Sequence, residues 1–496
     1  MERVTTDPPT REDPVPSDRV IGDLPIVDAA TAAEAIPAEA TLFVSGFGGV
    51  GYPKLVPEAI ARGDNRTLTV ISGGGVGDEI DAALVESGDM ARRYPFQTRP
   101  AVREAINTGE VLFHDRHIAG VADDLRFDGL RTGLRGERVA VVEAVAVGPD
   151  WLVPTTSVGN TPAFVRAADQ LIVEVNATQP LDLARVHDVY TRADPPERDP
   201  IPLSTPTERI GSPAIRFDPD DLAAVVRADR RDDPYEFRDP DDTDRAIADH
   251  LMRFLDTEID RNPLFADAVT LQFGVGSLGN ALMGTLTEFA VGDRPLVYFG
   301  EVIQDGLLDL IDAGRLSGAS ATSLALSADG QDRLFTDISQ YTNEIVLRPG
   351  DISNAAGPIE RFGVAAVNSA VEVDLHGNAN ATHIRGTRVV NGIGGSNDFV
   401  RNARLSVIAL PSTAADGDVS RIVPATAHVD HTDHDVDIVV TEHGVADLRG
   451  LSLRERPDAL MSVADPAYRP SLRSYLDQVS ERTGATPIAE DTGVDP

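Results

Sequence analysis

A glycine-rich segment and a nearby glutamate are the features of this sequence best suited to chemistry. Residues 271–280 read LQFGVGSLGN and precede a predicted helix over 281–289, and Glu301 follows the short apolar stretch 295–299. Backbone N–H groups at the start of such a helix suit a phosphate or a thioester carbonyl. A glutamate at the carboxyl end of a buried strand lies where α/β sheets place their reactive groups. The two features together suggest a carboxylate nucleophile beside a bound coenzyme.

The elements that must position these residues alternate between helices and short apolar strands. Further helices are predicted over 30–35, 52–62 and 244–259. Strands are predicted over 41–45, 68–72, 110–114, 139–147, 170–175, 269–272, 295–299, 319–326, 344–347, 365–373, 405–410 and 438–441. This alternation predicts an α/β protein with a mostly parallel sheet and helices on both faces.

The chain is too long for one hydrophobic core, and its composition suggests where to divide it. Residues 1–24, rich in Pro, Asp and Arg, are predicted to form a mobile tail. The apolar periodicity stops over 230–243, which we interpret as a charged linker between α/β domains at 25–229 and 244–480. A polar tail is predicted over 481–496.

Residue types that are missing exclude several classes of function. The sequence contains no cysteine, which rules out disulfides, thiolate metal ligands and cysteine nucleophiles. It has no apolar run of the roughly 18 residues that a membrane-spanning helix needs. Its first residues lack the apolar core of a signal peptide. These absences predict a cytoplasmic protein.

The net charge of the chain is strongly negative. It has 80 acidic and 44 basic side chains, a net charge of −36, and Lys54 is its only lysine. Such a surface should repel nucleic acid and anionic membranes, so neither is expected as a partner. We interpret the chain as a halophile's protein, adapted to salt so concentrated that the Debye length is about 3 Å at 1 M. An ordinary acidic protein is the alternative.

A second glycine loop, 46–51 (GFGGVG), follows a predicted strand and precedes a predicted helix, as a dinucleotide-binding loop does. The next strand, 68–72, runs into the glycine-rich residues 73–77 and lacks the acidic residue that would hold a ribose hydroxyl. We therefore disfavour NAD and interpret 46–51 as a loop that lets the backbone pass close to a neighbour.

Other motifs have weaker chemical interpretations. Residues 428–437 (HVDHTDHDVD) could hold zinc or a hard cation. In a chain this rich in aspartate we instead interpret them as a solvated loop with one or two inward-facing histidines, and expect no metal. A glycine turn over 390–399 could stabilise an oxyanion or hold a coenzyme tail. There is no Gly-x-Ser-x-Gly motif, so no serine-hydrolase signature is present.

Taken together, motifs along the chain resemble those of one enzyme family. In the C-terminal half they are GVGSLGN at 274–280, EVIQDG at 301–306, DISN at 351–354, NGIGGS at 391–396, PSTA at 411–414, IVP at 422–424 and TEHGVADLRG at 441–450. In the N-terminal half they are GFGGVGYPK at 46–54, VPTTSVGN at 153–160, HDVY at 187–190 and RIGS at 209–212. Residues 25–475 resemble the acetyl-CoA hydrolase/transferase family, and within it the succinyl-CoA:acetate CoA-transferases. The resemblance implies two CoA-transferase-type, Rossmann-like α/β domains with the active site between them, and a homodimer.

The resemblance also implies roles for particular residues. Glu301 matches the family's nucleophile, which forms a glutamyl-CoA thioester, and Asn354 matches an amide that helps to hold the oxyanion. Glu442 matches an active-site carboxylate, and Gly395 matches an oxyanion or CoA contact. The other implied CoA-binding residues are Gly276, Ser277, Leu278, Gly279, Asn280 and Asn391.

One departure from the family pattern affects coenzyme binding. Ala415 stands where similar members have a lysine that would bind the coenzyme's phosphates. That contact is therefore absent, or an arginine such as Arg404 or Arg421 supplies it. The family's carboxylate-binding arginine lies in the linker, where the candidates are Arg227, Arg230 and Arg231.

Three functions compete for these residues. The first is a CoA-transferase that moves CoA between small carboxylic acids such as succinate and acetate, with acyl-CoA and carboxylates as its partners. The second is an acyl-CoA hydrolase on the same scaffold, which would form product without an acceptor acid. The third is a non-catalytic protein that binds CoA or a nucleotide, which a covalent CoA adduct would rule out. The glutamate at the end of a strand, Glu301, argues against the third function. Covalent transfer through Glu301 would need no metal.

We predict that the folded state requires high salt, because its carboxylates repel one another. Across a KCl series from about 0.1 M to about 2 M, the unfolding temperature should rise as screening shortens the range of this repulsion. Thermal unfolding followed by circular dichroism measures the effect, with an uncharged osmolyte as the control. A flat unfolding temperature across the series would contradict the halophile interpretation.

Overall fold

The computed structural model describes residues 7–11, 18–97, 99–127, 129–236, 238–274, 277–286 and 291–483. Its contacts divide into two units, the first containing Met1–Glu236 and Val297–Phe362 and the second containing Phe237–Leu296 and Gly363–Pro496. A segment of the C-terminal half, Val297–Phe362, therefore packs as part of the N-terminal unit. The sequence-based domain boundaries stay a prediction.

The first unit begins with alternating helices and strands. The helices are α1 (Ala29–Glu34), α2 (Leu55–Arg62), α3 (Asp81–Glu86), α4 (Pro100–Thr108), α5 (Val121–Arg126), α6 (Gly129–Gly133) and α7 (Thr161–Ala167). The strands are β1 (Glu39–Val44), β2 (Thr67–Ser72), β3 (Met90–Tyr94), β4 (Leu112–Phe113), β5 (Glu137–Val147), β6 (Trp151–Pro154), β7 (Gln170–Asn176), β8 (Ile215–Arg216) and β9 (Leu222–Ala228).

The central sheet of the first unit is mostly parallel. Its parallel strands run in the order β4-β3-β2-β1-β5-β7-β9. β6 pairs antiparallel with β5, and β8 pairs antiparallel with β6. β5 reads ERVAVVEAVAV and is buried at each residue from Val139 to Val147. Such a near-continuous apolar run is what a parallel strand covered on both faces requires.

The remaining segments of the chain belong alternately to the second and the first unit. The second unit starts with α8 (Asp242–Arg261), β10 (Val269–Phe273) and α9 (Ser277–Leu286). The first unit continues with β11 (Leu296–Phe299), β12 (Val302–Ile303), α10 (Asp305–Asp312), β13 (Gly318–Ala321), β14 (Ser323–Leu324), α11 (Ala328–Thr336), β15 (Ile345–Leu347), α12 (Gly350–Ser353) and α13 (Ala356–Arg361). The second unit ends with β16 (Ala365–Asn368), β17 (Glu372–Asp374), β18 (Ala379–Asn380), β19 (His383–Ile384), β20 (Arg388–Val389), α14 (Ser396–Asn402), β21 (Leu405–Ala409), β22 (Thr413–Ala414), β23 (Val419–Ser420), β24 (Ile422–Val423), β25 (Ile438–Thr441), β26 (Gly444–Asp447), α15 (Arg456–Val463) and α16 (Arg469–Thr483).

Parallel pairing also dominates these later strands. In the first unit β13 lies between β11 and β15, and β12 pairs with β14, all in parallel. In the second unit β10, β16, β21 and β25 are parallel neighbours in that order, and β26 closes the row antiparallel to β25. The predicted α/β fold with mostly parallel sheets is therefore confirmed.

Several predicted elements differ from the structure. The single strand predicted over 319–326 is two strands, β13 and β14, because the chain turns at Thr322 to donate its N–H to the carbonyl of Glu301. The strand predicted over 365–373 is likewise divided into β16 and β17. The helix predicted over 52–62 begins only at Leu55.

Residues 18–24, predicted as part of a mobile tail, pack against the sheet of the first unit. Arg19 donates to the carbonyl oxygens of Val145 and Gln179 at 3.0 and 2.7 Å. Val20 and Ile21 are buried, and Val20 forms a parallel bridge to Val147 at the end of β5. Val20 and Ile21 thus pack on the first unit, and the mobile tail over 1–24 stays a prediction.

Candidate active site

Glu301 lies between β11 and β12 in the first unit. Its backbone carbonyl accepts hydrogen bonds from the N–H groups of Thr322 and Ser323, at 2.9 and 3.1 Å. The preceding residue must be glycine, because a Cβ on Gly300 would lie 2.4 Å from the hydroxyl oxygen of Tyr298. That hydroxyl donates to the carbonyl of Val302 at 3.0 Å. Backbone and side-chain hydrogen bonds thus fix the turn that carries Glu301.

The carboxylate of Glu301 is held by one identified amide. Asn354 Nδ2 donates to Glu301 Oε1 at 2.9 Å, and Asn354 is fully buried. Glu301 is half-buried as a residue, but its carboxylate lies among protein atoms. This burial raises the pKa of Glu301 to about 7, and the hydrogen bond from Asn354 opposes the rise because it stabilises the charged form.

Asn354 is positioned by the helix that precedes it. It caps the C-terminus of α12, and its N–H donates to the carbonyl of Gly350 at 2.9 Å. The N–H of Gly350 in turn donates to the carbonyl of Gly159 at 2.8 Å. A Cβ on Gly350 would lie 2.9 Å from Asn160 Oδ1, so this close approach needs glycine. The first half of the chain therefore determines where the amide of Asn354 lies.

The glycine loop 46–51 contacts the strand that follows Glu301. Phe47 and Val50 pack with Val302 and Ala325 in one buried apolar cluster. A Cβ on Gly48 would lie 3.4 Å from a methyl group of Val302, and Gly48 has a φ of +68°, which favours glycine. The interpretation of this loop as a close backbone approach is consistent with these contacts.

A buried ionic cluster anchors the loop. The N–H of Gly51 donates to the carboxylate of Asp232 at 3.1 and 3.2 Å. The ammonium of Lys54 reaches Asp232 at 2.9 Å, Glu143 at 2.7 Å and the carbonyl of Tyr52 at 2.8 Å. An ammonium has three N–H donors, and here it has three acceptors. Each N–H donor of the chain's only lysine thus has one acceptor.

Charge and burial oppose each other in this cluster. Burial raises the pKa of Glu143 to about 7, whereas Lys54 lowers it. Burial would lower the pKa of Lys54, but Asp232 and Glu143 raise it overall, so the ammonium stays charged. Glu174 adds a further buried carboxylate, which accepts from the N–H groups at 54–56 and caps the start of α2.

The remaining predicted site residues lie in the second unit. Gly276 falls outside the described residues, and Ser277, Leu278, Gly279 and Asn280 form the first turn of α9. This places a helix N-terminus where the coenzyme loop is predicted. The structure thus brings Glu301 and Asn354 together, and the assignments of the α9 residues stay predictions.

Three other predicted residues of the second unit occupy loops at the ends of elements. Gly395 is the N-cap residue of α14, and Asn391 Oδ1 is buried with no hydrogen-bond partner among the described residues. Glu442 follows β25 and accepts from the N–H and hydroxyl of Ser412 at 2.8 and 2.6 Å. Ser412 belongs to the motif that ends before Ala415.

Arg421, one candidate substitute for the lysine missing at Ala415, lies beside the motif that contains Ser412. Its N–H donates to the carbonyl of Ser412 at 2.8 Å. Burial lowers the pKa of Arg421, and the charge of Glu442 acts against that change. The N–H of Arg404, the other candidate, donates to the carbonyl of Val364, and the role of both arginines stays a prediction.

The linker arginines have different surroundings within the first unit. Arg227 is exposed on β9. Arg230 pairs with Glu58 and Glu79. Arg231 pairs with Asp332 and lies 5.6 Å from the ring of Phe335. The structure does not select one of them as the carboxylate-binding residue.

The side chains of 428–437 have partners within the protein. His428 contacts Asp430 at 3.1 Å, and Asp430 also accepts from Thr382. His431 is fully buried and contacts Asn397. Within the part of the chain that the structure describes, no group of three or more His, Asp or Glu side chains is arranged to hold a metal ion. None of the described helices is long and apolar enough to cross a membrane.

Sequence reasoning missed the cluster around Lys54. Asp232 was predicted only as part of a charged linker, yet it is buried and holds both the glycine loop and the lysine. The signal that could have found it is the retention of one lysine in a chain that otherwise uses arginine.

We predict that Lys54→Met destabilises the protein, because it leaves Glu143 and Asp232 buried without their cation. The free energy of unfolding should fall by about 3–5 kcal/mol, the usual cost of breaking a buried ion pair. The control is Arg62→Met, which breaks the exposed pair with Glu58 and should cost about 0–1 kcal/mol. Urea titration at fixed KCl measures both. Equal losses in the two variants would contradict the role of the cluster.

Comparison with known proteins agrees with this architecture. Residues 25–226 match the acetyl-CoA hydrolase/transferase N-terminal domain, and residues 330–476 match the C-terminal domain of the same family. The chain is 37% identical to the succinyl-CoA:acetate CoA-transferase of Clostridium kluyveri, over 92% of this chain and 86% of that protein. It is 37% identical to the acetyl-CoA hydrolase of Schizosaccharomyces pombe, over 87% of this chain and 85% of that protein.

A solved structure supports the fold. The 4-hydroxybutyrate CoA-transferase of Porphyromonas gingivalis superimposes with a TM-score of 0.61 at 22% identity, over 92% of this chain and 98% of that one. At this identity the similarity concerns the fold alone. With the two domain matches and the relatives at 37% identity, the chain belongs to the acetyl-CoA hydrolase/transferase family of enzymes.

Proposed function

We propose that this enzyme transfers CoA between small carboxylic acids, with succinyl-CoA and acetate as one substrate pair, through a thioester on Glu301. The observation that carries the proposal is the buried carboxylate of Glu301 with the amide of Asn354 at 2.9 Å. A buried carboxylate beside a fixed hydrogen-bond donor supports the role of nucleophile that we propose for Glu301. The relative from Clostridium kluyveri, named for this reaction, supports the choice of substrates.

The first half of the reaction builds the covalent intermediate. An oxygen of the ionised Glu301 attacks the thioester carbonyl carbon, the carbon–sulfur bond breaks, and a mixed anhydride and CoA thiolate result. The thiolate then attacks the glutamyl carbonyl carbon of the anhydride. The first acid leaves as its carboxylate, and CoA remains on Glu301 as a thioester.

The second half reverses these steps with a different acid. The incoming carboxylate attacks the glutamyl thioester and releases the thiolate, which then takes the acyl group from the new anhydride. Glu301 is regenerated as a carboxylate, and no net proton transfer is needed. The thioester's free energy passes from one acyl-CoA to the other.

Each step passes through a tetrahedral oxyanion, so fixed donors should accelerate it. Asn354 Nδ2 is proposed as one donor, and a donor of this kind contributes about 3–4 kcal/mol in other enzymes. Gly395 and Asn391 are proposed as further oxyanion or coenzyme contacts, Glu442 as an active-site carboxylate, and the first turn of α9, with Gly276, as the coenzyme loop.

We further propose the setting in which the enzyme works. The net charge of −36 with one lysine supports a cytoplasm of concentrated salt. The family resemblance supports a homodimer of two-domain chains divided near 230–243.

The products formed from succinyl-CoA in the presence and in the absence of acetate distinguish a transferase from a hydrolase. In molar KCl we expect acetyl-CoA to form in step with succinyl-CoA consumption, and little free thiol without acetate. Glu301→Gln should abolish transfer, whereas Glu110→Gln, which changes an exposed glutamate of the same unit, should not. Rapid thiol release without any acceptor would instead identify an acyl-CoA hydrolase.

The pH dependence of kcat/KM should report the ionisation of Glu301. Because only the carboxylate attacks, kcat/KM should rise with pH and level off above an apparent pKa near 7. Asn354→Ala removes a donor that favours the charged form of Glu301. The rise of kcat/KM should therefore move to higher pH, and the plateau value of kcat/KM should fall. If kcat/KM rose at the same pH in wild type and Asn354→Ala, the ionisation of another group would control the rise.

A further inference from the structure

A cavity of about 300 Å³ beside α7 in the first unit is lined by an unusual number of arginines. Six of the sixteen described residues that line it are arginines, contributed by α5, α6, α7, the start of β5 and the loop over 190–198: Arg126, Arg131, Arg138, Arg166, Arg192 and Arg198. The carboxylates among its described lining residues are Asp123, Asp194 and Asp351. The described lining residues thus carry a formal excess of positive charge in a chain whose net charge is −36.

Internal ion pairs use up only part of this positive charge. Arg138 pairs with Asp169, which is not one of the lining residues. Arg198 forms two hydrogen bonds with Asp123, at 2.6 and 2.7 Å. Arg126 and Arg166 share the single carboxylate of Asp194. One carboxylate that serves two guanidinium groups leaves N–H donors on both of them for another acceptor.

Two of the arginines form no salt bridge with a described residue. Over the described part of the chain, no carboxylate oxygen lies within 4.0 Å of a side-chain nitrogen of Arg131 or Arg192. Arg131 donates to the carbonyl of Arg126 at 3.3 Å. The Nε of Arg192 is buried and has no hydrogen-bond partner. A buried donor of this kind is costly unless something binds it.

We propose that this cavity binds a phosphate group. Guanidinium groups present paired donors that match the oxygens of phosphate, and several of them can converge on one dianion. The volume exceeds that of inorganic phosphate and admits a phosphate ester or a diphosphate. Glu301, Asn354 and the glycine loop 46–51 are not among its lining residues, so the site is separate from the proposed nucleophile.

The same phosphate chemistry could come from two sources, a free phosphate-containing metabolite or the phosphates of the CoA substrate. The cavity approaches the active site through Asp351, which lines it and belongs to α12, the helix that Asn354 caps. Arg192 interacts with the charge of Asp351. Competition between ligands distinguishes the two sources.

Calorimetric titration with inorganic pyrophosphate tests the proposal, at constant ionic strength maintained with KCl. We expect saturable binding of one pyrophosphate per chain, weakened by about tenfold or more in Arg192→Ala and in Arg166→Ala. Arg473→Ala, which breaks an exposed pair with Asp458 in the second unit, is the matched control and should bind as wild type does. Circular dichroism confirms that each variant is folded.

The outcomes separate this site from the proposed reaction. Glu301→Gln should bind pyrophosphate normally even if the transferase proposal fails. Displacement of pyrophosphate by CoA but not by dephospho-CoA would identify the coenzyme's 3′-phosphate as the ligand, and displacement by neither would identify a free phosphate compound. Absence of saturable binding, or equal affinity in wild type, Arg192→Ala and Arg166→Ala, would overturn the proposal.

Discussion

The carboxylate of Glu301 has to be both weakly solvated and ionised, and its hydrogen bond with Asn354 reconciles the two requirements. Burial makes the carboxylate a better nucleophile but raises its pKa to about 7, so part of the population is protonated at neutral pH. The amide of Asn354, at 2.9 Å, favours the charged form. Without that donor, Glu301 would be ionised, and therefore able to attack, in a smaller fraction of the enzyme molecules.

The position of this pair depends on contacts between distant parts of the sequence. Asn354 is fixed through α12 to the carbonyl of Gly159, and the strand after Glu301 packs on the loop 46–51. That loop is held by Asp232, which Lys54 neutralises. A compact ammonium with three acceptors fits this site, whereas a planar guanidinium presents its donors in a fixed fork. This gives a physical reason for one lysine to remain in a chain whose other basic residues are arginines.

Much of the fold follows from local sequence, and the exceptions have identifiable causes. Strands such as β1, β5 and β25 are apolar runs and were predicted within a few residues. β3 was missed because it reads MARRY, yet Arg93 is buried inside the protein against Asp81 at 2.7 Å. Buried polar pairing of this kind leaves no apolar signal.

The site was only partly predictable for a related reason. Glu301 could be selected from its place after an apolar strand, but Asn354 entered only through the family resemblance. The packing of Val297–Phe362 with the N-terminal unit has no local signature, because it depends on contacts between residues far apart in the sequence. The buried ion pair between Asp232 and Lys54 could not be predicted for the same reason.

Covalent trapping of the intermediate tests the central claim most directly. The enzyme would be incubated with succinyl-CoA in the absence of an acceptor acid, reduced with borohydride and digested for peptide mass mapping. The account predicts that the side-chain carboxyl of Glu301 is converted to an alcohol, and that Glu301→Gln yields no such peptide. Reduction at another carboxylate, or no reduced residue in an enzyme that still transfers CoA, would contradict it.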